Sequence, residues 1–171
     1  MADRGPSSPT GAAAGDVLAL GLALAVCFLA AGVAAMATPA PELDPWYRDL
    51  AKPDWTPPGL VFAVVWPVLY ALMAIAAWLV WRRRRDDGRV MGALGFFAVQ
   101  LVLNVAWPWA FFGAQNVTLG LIVIVLLIPA LIVTMWRFAG ISRLSAWLLA
   151  PYLLWLVFAL ALNATILFMN A

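Results

Sequence analysis

The sequence predicts an all-α integral membrane protein built as a bundle of five transmembrane helices. Hydrophobic residues occupy 66% of its 171 positions, against roughly 45–50% in soluble domains. Residues 17–41, 59–81, 90–136 and 144–171 contain no Asp, Glu, Lys or Arg, and about 20 apolar residues suffice to cross a bilayer as a helix. Backbone groups in lipid must be hydrogen-bonded within their own segment, so these runs are expected to be helical.

The elements follow in chain order. Residues 1–15 are small, polar and rich in Pro and Gly, which predicts a disordered tail. A motif at residues 35–37, Ala-Met-Ala, resembles a signal-peptidase site. The run before it is longer than the ~7–15 apolar residues of a signal peptide, so we expect it to remain as the first helix. The transmembrane domain covers 16–171, with helices at about 17–38, 59–81, 90–112, 117–137 and 145–169 and a lid loop at 39–58.

The distribution of positive charge predicts the orientation in the membrane. The N-terminal tail and the second and fourth loops hold eight Arg, whereas the first loop, third loop and C-terminus hold only Arg48 and Lys52. Positively charged loops stay inside, so the N-terminus is predicted inside and the loop 39–58 outside. The Arg-rich turn at 82–89 most simply sets this topology and contacts anionic lipid head groups. No nucleic-acid partner is expected, because no folded domain surrounds the basic turn.

The first loop contains WYRDLAKPDWTPP at 46–58, which is unusual for a linker between membrane helices. It holds two Trp, three Pro and the only Lys of the chain. Pro fixes the backbone φ angle and so lowers the entropy lost when the loop is ordered. We predict a lid in which Trp46 and Trp55 pack inward onto the bundle, with Lys52 between them.

Three of the predicted helices carry polar or indole side chains at spacings that place them on one face. With a rise of about 1.5 Å per residue, most of these side chains lie in the outer half of the bundle, beneath the loop. Amides in membrane helices often only hydrogen-bond neighbouring helices, so a structural role is left open for them. The faces carry Trp66, Tyr70 and Met73, then Gln100, Asn104 and Trp107, and then Trp155, Ala159 and Asn163. Among them Trp66, Trp107 and Trp155 are the better candidates for a site, because they lie deep and beside polar residues.

Several functional classes are disfavoured by composition. The chain has no His and a single Cys27, which excludes imidazole metal ligands, multi-Cys metal sites and an intramolecular disulfide. No nucleophile–base pair or phosphate-binding loop is present, so no catalytic residue and no metal ligand is predicted. The interiors of the predicted helices contain no charged residue and the chain no inverted repeat, which argues against ion-coupled transport. Passive translocation is left open.

Four segments resemble the translocator protein family, also called the tryptophan-rich sensory protein (TspO/MBR) or peripheral-type benzodiazepine receptor family. They are WYRDLAKPDWTPP at 46–58, FAVVWPVLYALM at 62–73, QLVLNVAWPWAFFG at 100–113 and PYLLWLVFALALN at 151–163. The resemblance extends over about residues 17–169. It implies a five-helix bundle, often a homodimer, in a bacterial cell membrane. It also implies a pocket under the first loop for tetrapyrroles such as protoporphyrin IX and haem, and for other hydrophobic molecules.

The resemblance also assigns roles to residues. The resemblance implies six ligand-binding residues, which match the family's pocket positions: Trp66, Tyr70, Gln100, Asn104, Trp107 and Trp155. The family's loop motif matches Trp46 and Trp55. Arg48 and Lys52 are expected to meet the propionates of a tetrapyrrole, which is a ligand and not a required cofactor. Light-dependent porphyrin degradation and passive transport of hydrophobic molecules are alternatives that the resemblance allows. The C-terminal LNATILFMNA has neither the Tyr nor the basic residue that mammalian members use for cholesterol.

Overall fold

The computed structural model describes residues 9–38 and 44–171, and in that part of the chain its regular elements are all helices. Five helical segments are long and apolar enough to cross a membrane, which confirms the predicted all-α membrane bundle. In chain order the helices are α1 (Pro9–Met36), the short α2 (Pro45–Asp49), α3 (Gly59–Trp81), α4 (Val90–Pro108), α5 (Val117–Ala139), α6 (Arg143–Leu148) and α7 (Ala150–Met169), with a π-helical segment (Trp109–Gly113) directly after α4.

The first helix begins earlier than predicted. A disordered tail was expected over 1–15, but α1 already runs from Pro9; residues 1–8 lie outside the described part of the chain. Ala has the highest intrinsic helix propensity, and the three successive Ala at 12–14 extend the helix beyond the apolar run. Pro9 is compatible with this start, because Pro is tolerated in the first turn of a helix.

Two predicted spans are not continuous α-helices. The third span changes to π-helical bonding at Trp109, where the N–H of Ala114 donates to the carbonyl of Trp109 at 2.8 Å. The fifth span was expected to run from 145 to 169 but is divided at Leu149 into α6 and α7. Pro151 lies in the first turn of α7 and has no N–H to continue the hydrogen-bond ladder of α6. Such interruptions do not alter hydropathy, so the apolar pattern did not predict them.

The helices pack side by side, and α1 is the most peripheral. It contacts α3 and α4; α5 contacts α4 and α7, and α6 contacts α3 and α5. In the middle of α3, Ala74 and Ala76 are fully buried, and their small side chains allow neighbouring backbones to approach. Most side chains of α1 are exposed, as expected for a helix that faces lipid.

The two ends of the bundle differ in chemistry. We call the end with α2 the loop end and the end with residues 82–89 the arginine end. At the arginine end, Asp16 of α1 accepts a hydrogen bond from Arg82 at 2.9 Å, and its carbonyl accepts one from Trp78 Nε1 at 2.9 Å. These contacts join the start of α1 to the end of α3.

Candidate functional site

A cavity of about 420 Å³ lies between the helices at the loop end. Its volume is within the range of about 300–1,000 Å³ typical of small-molecule sites. Most of the described side chains that line it are apolar or aromatic, and none of those described is charged. They come from α1 (Phe28, Ala31, Ala34, Ala35 and Thr38 just beyond its end), the loop (Tyr47), α3 (Gly59, Phe62, Ala63, Trp66, Pro67, Tyr70), α4 and its π-helical segment (Asn104, Trp107, Pro108, Phe111, Phe112) and α7 (Ala159, Leu162, Asn163, Ile166).

A row of polar groups forms the deep part of the site. The hydroxyl of Tyr70 donates to Asn104 Oδ1 at 2.5 Å, and Asn104 Nδ2 donates to the hydroxyl of Tyr152 at 2.7 Å. Asn104 thus joins α3, α4 and α7 through one amide. Tyr152 is fully buried, whereas Tyr70 and Asn104 also line the cavity. The site therefore offers a ligand neutral hydrogen-bonding groups in an apolar surrounding.

The two cavity tryptophans are held by different contacts. The ring of Trp66 lies 5.8 Å from that of Tyr70, one helical turn away on α3. Trp107 stacks on Phe111 at a centroid distance of 5.4 Å, and its Nε1 donates to Asn163 Oδ1 at 3.4 Å. Asn163 in turn donates from Nδ2 to the carbonyl of Val117 at 3.0 Å. Both indoles are therefore positioned before any ligand arrives.

Gln100 and Trp155 are not among the residues that line this cavity. Gln100 is fully buried one turn deeper than Asn104, where its Nε2 lies 3.9 Å from Met73 Sδ. The ring of Trp155 lies behind the cavity wall, 5.4 Å from Phe62 and 6.4 Å from Trp66. Helical spacing placed both residues on the same helix faces as the cavity residues. It could not show which side chains lie between them and the cavity. Ligand contact by either residue stays a prediction.

The described part of the loop, from residue 44 onward, packs onto the bundle. Trp46 contacts Phe111 edge-on at 5.5 Å, and Trp55 contacts Phe158 at 5.8 Å while remaining 48% exposed. Neither ring lines the cavity; Tyr47 does so instead. Burial raises the pKa of the Tyr47 phenol above its ordinary value, so this ring enters the site as a neutral donor. Residues 39–43 of the predicted lid lie outside the described chain.

Lys52 is bound to the backbone of the loop. Its Nζ donates to three backbone carbonyls, those of Tyr47, Leu50 and Arg48, at 2.5, 2.8 and 3.1 Å. It also lies 4.7 Å above the Tyr47 ring. An ammonium near the C-terminus of a helix satisfies carbonyls that have no intrahelical partner. Lys52 therefore stabilises α2 and is not among the side chains that line the cavity.

The loop is also hydrogen-bonded to a residue near the C-terminus. Asn170 forms a pair of hydrogen bonds with the backbone of Ala51: its Oδ1 accepts from the N–H at 3.0 Å, and its Nδ2 donates to the carbonyl at 2.9 Å. The same Nδ2 reaches the carbonyl of Ile166 at 2.7 Å. The amide thus ties the loop to the end of α7, and no sequence pattern indicated this role.

We expect Asn170→Ala to loosen the loop without unfolding the bundle. Two long-range hydrogen bonds are lost, each contributing about 0.5–1.5 kcal/mol. Amide hydrogen exchange at Ala51 and Lys52 should accelerate about tenfold or more, because local opening requires less free energy. Thr165→Ala is the matched control, since Thr165 bonds only the carbonyl of Ala161 in its own helix. Equal exchange in both variants would contradict the fastening role.

The cavity opens sideways between α1 and α3. Among its lining residues, Phe28, Ala35 and Thr38 of the α1 side and Ala63 and Pro67 of α3 are exposed on the surface of the bundle. All but one of these are small or compact. Since α1 and α3 are both membrane-crossing segments, this opening faces the hydrocarbon region of a bilayer.

Comparison with known proteins relates the whole bundle to one family. The model of the TspO/MBR family matches residues 23–169. The chain is 38% identical to the tryptophan-rich protein TspO of Chlorobaculum tepidum, over 91% of this chain and 98% of that protein. It is 40% identical to the translocator protein of Homo sapiens over 69% and 70% of the two chains. It is 36% identical to the tryptophan-rich sensory protein of Cereibacter sphaeroides over 82% and 84%.

Proposed function

Since this chain belongs to the TspO/MBR family and is a multi-pass integral membrane protein, we propose that it binds porphyrins in the cavity at the loop end. The observation that carries the proposal is the cavity wall itself. A tetrapyrrole has a flat apolar ring with polar atoms at its centre and carboxylates at its edge. The cavity presents aromatic faces from Trp66 and Trp107 together with the neutral hydrogen-bonding groups of Tyr70 and Asn104, which complement such a ring.

The chemistry of the site favours a metal-free ring as the first ligand to test. The chain has no His, so it offers no imidazole for a haem iron. Among the described residues, the side chains that line the cavity are uncharged, and Lys52 is bound to the loop backbone. Propionates would therefore remain near the water boundary, where the exposed Arg48 lies, while the ring occupies the apolar part. Protoporphyrin IX has no iron that needs an imidazole, and its propionates lie at one edge of the ring.

We expect Trp66→Leu to weaken protoporphyrin IX binding by about tenfold or more. An aromatic contact of this kind contributes about 0.5–1.5 kcal/mol beyond the buried area, and the smaller side chain also gives up contact area. Affinity is measured by quenching of tryptophan fluorescence in detergent. Trp136→Leu is the control with the same loss of one fluorophore, because Trp136 is exposed on the lipid-facing surface. Equal affinity in both variants, or no binding by the wild type, would overturn the proposal.

Illumination of the bound complex separates binding from chemistry. If the protein only binds or passes on the ligand, the absorption spectrum and mass of recovered protoporphyrin IX should match those of a control without protein. A protein-dependent product would instead support the porphyrin-degrading alternative. Transport is assayed separately, as flux into proteoliposomes.

A further inference from the structure

A second cleft, with a volume of about 350 Å³, lies at the arginine end. It shares no lining residue with the proposed porphyrin site at the loop end, and its lining is polar. It is formed where the end of α3 and the following turn meet the start of α1 and the N-terminal cap of α6. The lining residues are Asp16, Leu79, Arg82, Arg83, Asp86 and Ser142. Of these six described residues, four carry formal charges, two of each sign.

Two of these charges neutralise each other and two do not. Arg82 pairs with Asp16 at 2.9 Å and lies over the ring of Trp78 at 5.0 Å. Within the described residues, Arg83 and Asp86 form no ion pair shorter than 4.0 Å, although they are three positions apart in one turn. Among the described residues, the cleft therefore holds one cation and one anion that have no ion-pair partner there.

We propose that this cleft binds the phosphoethanolamine head group of a membrane phospholipid. The phosphate would lie against the Arg83 guanidinium with the Ser142 hydroxyl as a further donor, and the primary ammonium against the Asp86 carboxylate. Such charge-assisted hydrogen bonds are stronger than neutral ones. A choline head group cannot donate hydrogen bonds to Asp86, and a glycerol head group carries no positive charge for it. The arrangement thus selects a zwitterion with a primary amine.

The position of the cleft relative to the bilayer supports a lipid source. The Arg82 guanidinium lies 5.0 Å from the centre of the Trp78 ring. The Arg84 guanidinium lies 4.6 Å from the centre of the Trp81 ring. Trp and Arg side by side at the end of an apolar span are typical of the head-group level. Leu79, in the last turns of α3, gives the cleft an apolar wall on the membrane side where an acyl chain can begin.

The test measures lipid binding to delipidated full-length protein by native mass spectrometry. Phosphatidylethanolamine, phosphatidylglycerol and phosphatidylcholine with identical acyl chains are titrated separately. We expect phosphatidylethanolamine to bind about tenfold more tightly than phosphatidylcholine, the effect of one hydrogen bond to a charged group. Arg83→Gln should weaken both phosphatidylethanolamine and phosphatidylglycerol. Asp86→Asn should remove only the preference for phosphatidylethanolamine over phosphatidylglycerol.

The control is Arg85→Gln, a charge change in the same turn at a residue that does not line the cleft. Thermal denaturation establishes that each variant is folded. Equal binding of the three lipids, or an unchanged preference in Asp86→Asn, would overturn the proposal. Soluble phosphoethanolamine, if it displaced the lipid at equal concentration, would overturn the lipid source. None of these outcomes depends on protoporphyrin IX binding at the loop end.

Discussion

Replacing Gly120 with Val is expected to lower the free energy of unfolding by about 3 kcal/mol, at the upper end for overpacking a core. Gly120 lies where α5 meets the π-helical segment after α4 and the end of α7. A Cβ at this position would lie 2.9 Å from Phe111 Cδ2 and 3.0 Å from Asn163 Oδ1. Both neighbours line the cavity, and neither is the free end of a long flexible chain. The substitution must therefore move the cavity wall as well as destabilise the bundle.

The measurement is the midpoint of thermal denaturation in detergent, which should fall by about 6–12 °C for a chain of this size. Protoporphyrin IX affinity should fall in the same variant. Gly92→Ala in α4 is the control, since a Cβ there meets nothing within 4 Å and Ala favours a helix over Gly. A Gly120→Val variant that melts with the wild type would show that the contact among α4, α5 and α7 is looser than the structure indicates.

Replacing Asn104 with Leu should destabilise the bundle by about 2 kcal/mol, because the Tyr152 hydroxyl loses its partner. Hydrogen bonds between membrane helices contribute only about 0.6 kcal/mol on average. Here, however, one partner of a buried pair is removed and the other remains: Tyr152 is fully buried and Asn104 is its hydrogen-bond partner in the described chain. Protoporphyrin IX binding should also weaken about tenfold, because an amide at the cavity wall is lost.

Tyr70→Phe is the comparison for this variant. It removes the single bond from Tyr70 to Asn104 and leaves the bond from Asn104 to Tyr152 intact. We expect a loss of less than about 1 kcal/mol, since Asn104 lines the cavity and its freed Oδ1 can accept a bond from water or ligand. Thermal denaturation of the two variants side by side checks the order. A larger effect of Tyr70→Phe would show that the bond from Tyr70 to Asn104 stabilises the bundle more than the bond from Asn104 to Tyr152.

The sequence predicted the spans well because membrane insertion depends on summed apolar length, which hydropathy reports directly. The bounds of α3 agree with the prediction, and α5 ends two residues later than expected. The π-helical segment at Trp109 and the break at Leu149 depend on which carbonyl each N–H reaches. Apolar composition carries no information about that choice.

Helical spacing likewise predicted part of the site. It placed Trp66, Tyr70, Asn104 and Trp107 on faces that meet, and all four line the cavity. Spacing gives a face and a depth, but not which neighbour covers a side chain, so Gln100 and Trp155 were given the same rank although other side chains shield them. Tyr47, Tyr152 and Asn170 were missed because their roles arise only from contacts between distant segments. Of these three, only Tyr152 could have been found from the sequence. It is a phenol inside an apolar span, and it lies three residues before Trp155 on the same helix face.

Because of the sideways opening between α1 and α3, a ligand is selected first by its solubility in lipid and then by its fit to the cavity. A molecule that enters by this opening dissolves in the hydrocarbon layer before it meets Ala35 or Ala63 at the rim. Partitioning between water and lipid therefore acts as a first filter, and the shape of the aromatic wall as a second. Weakly lipid-soluble analogues would be rejected before their fit was ever tried. The bilayer also concentrates those that pass, so occupancy follows the amount of ligand per lipid and not its concentration in water.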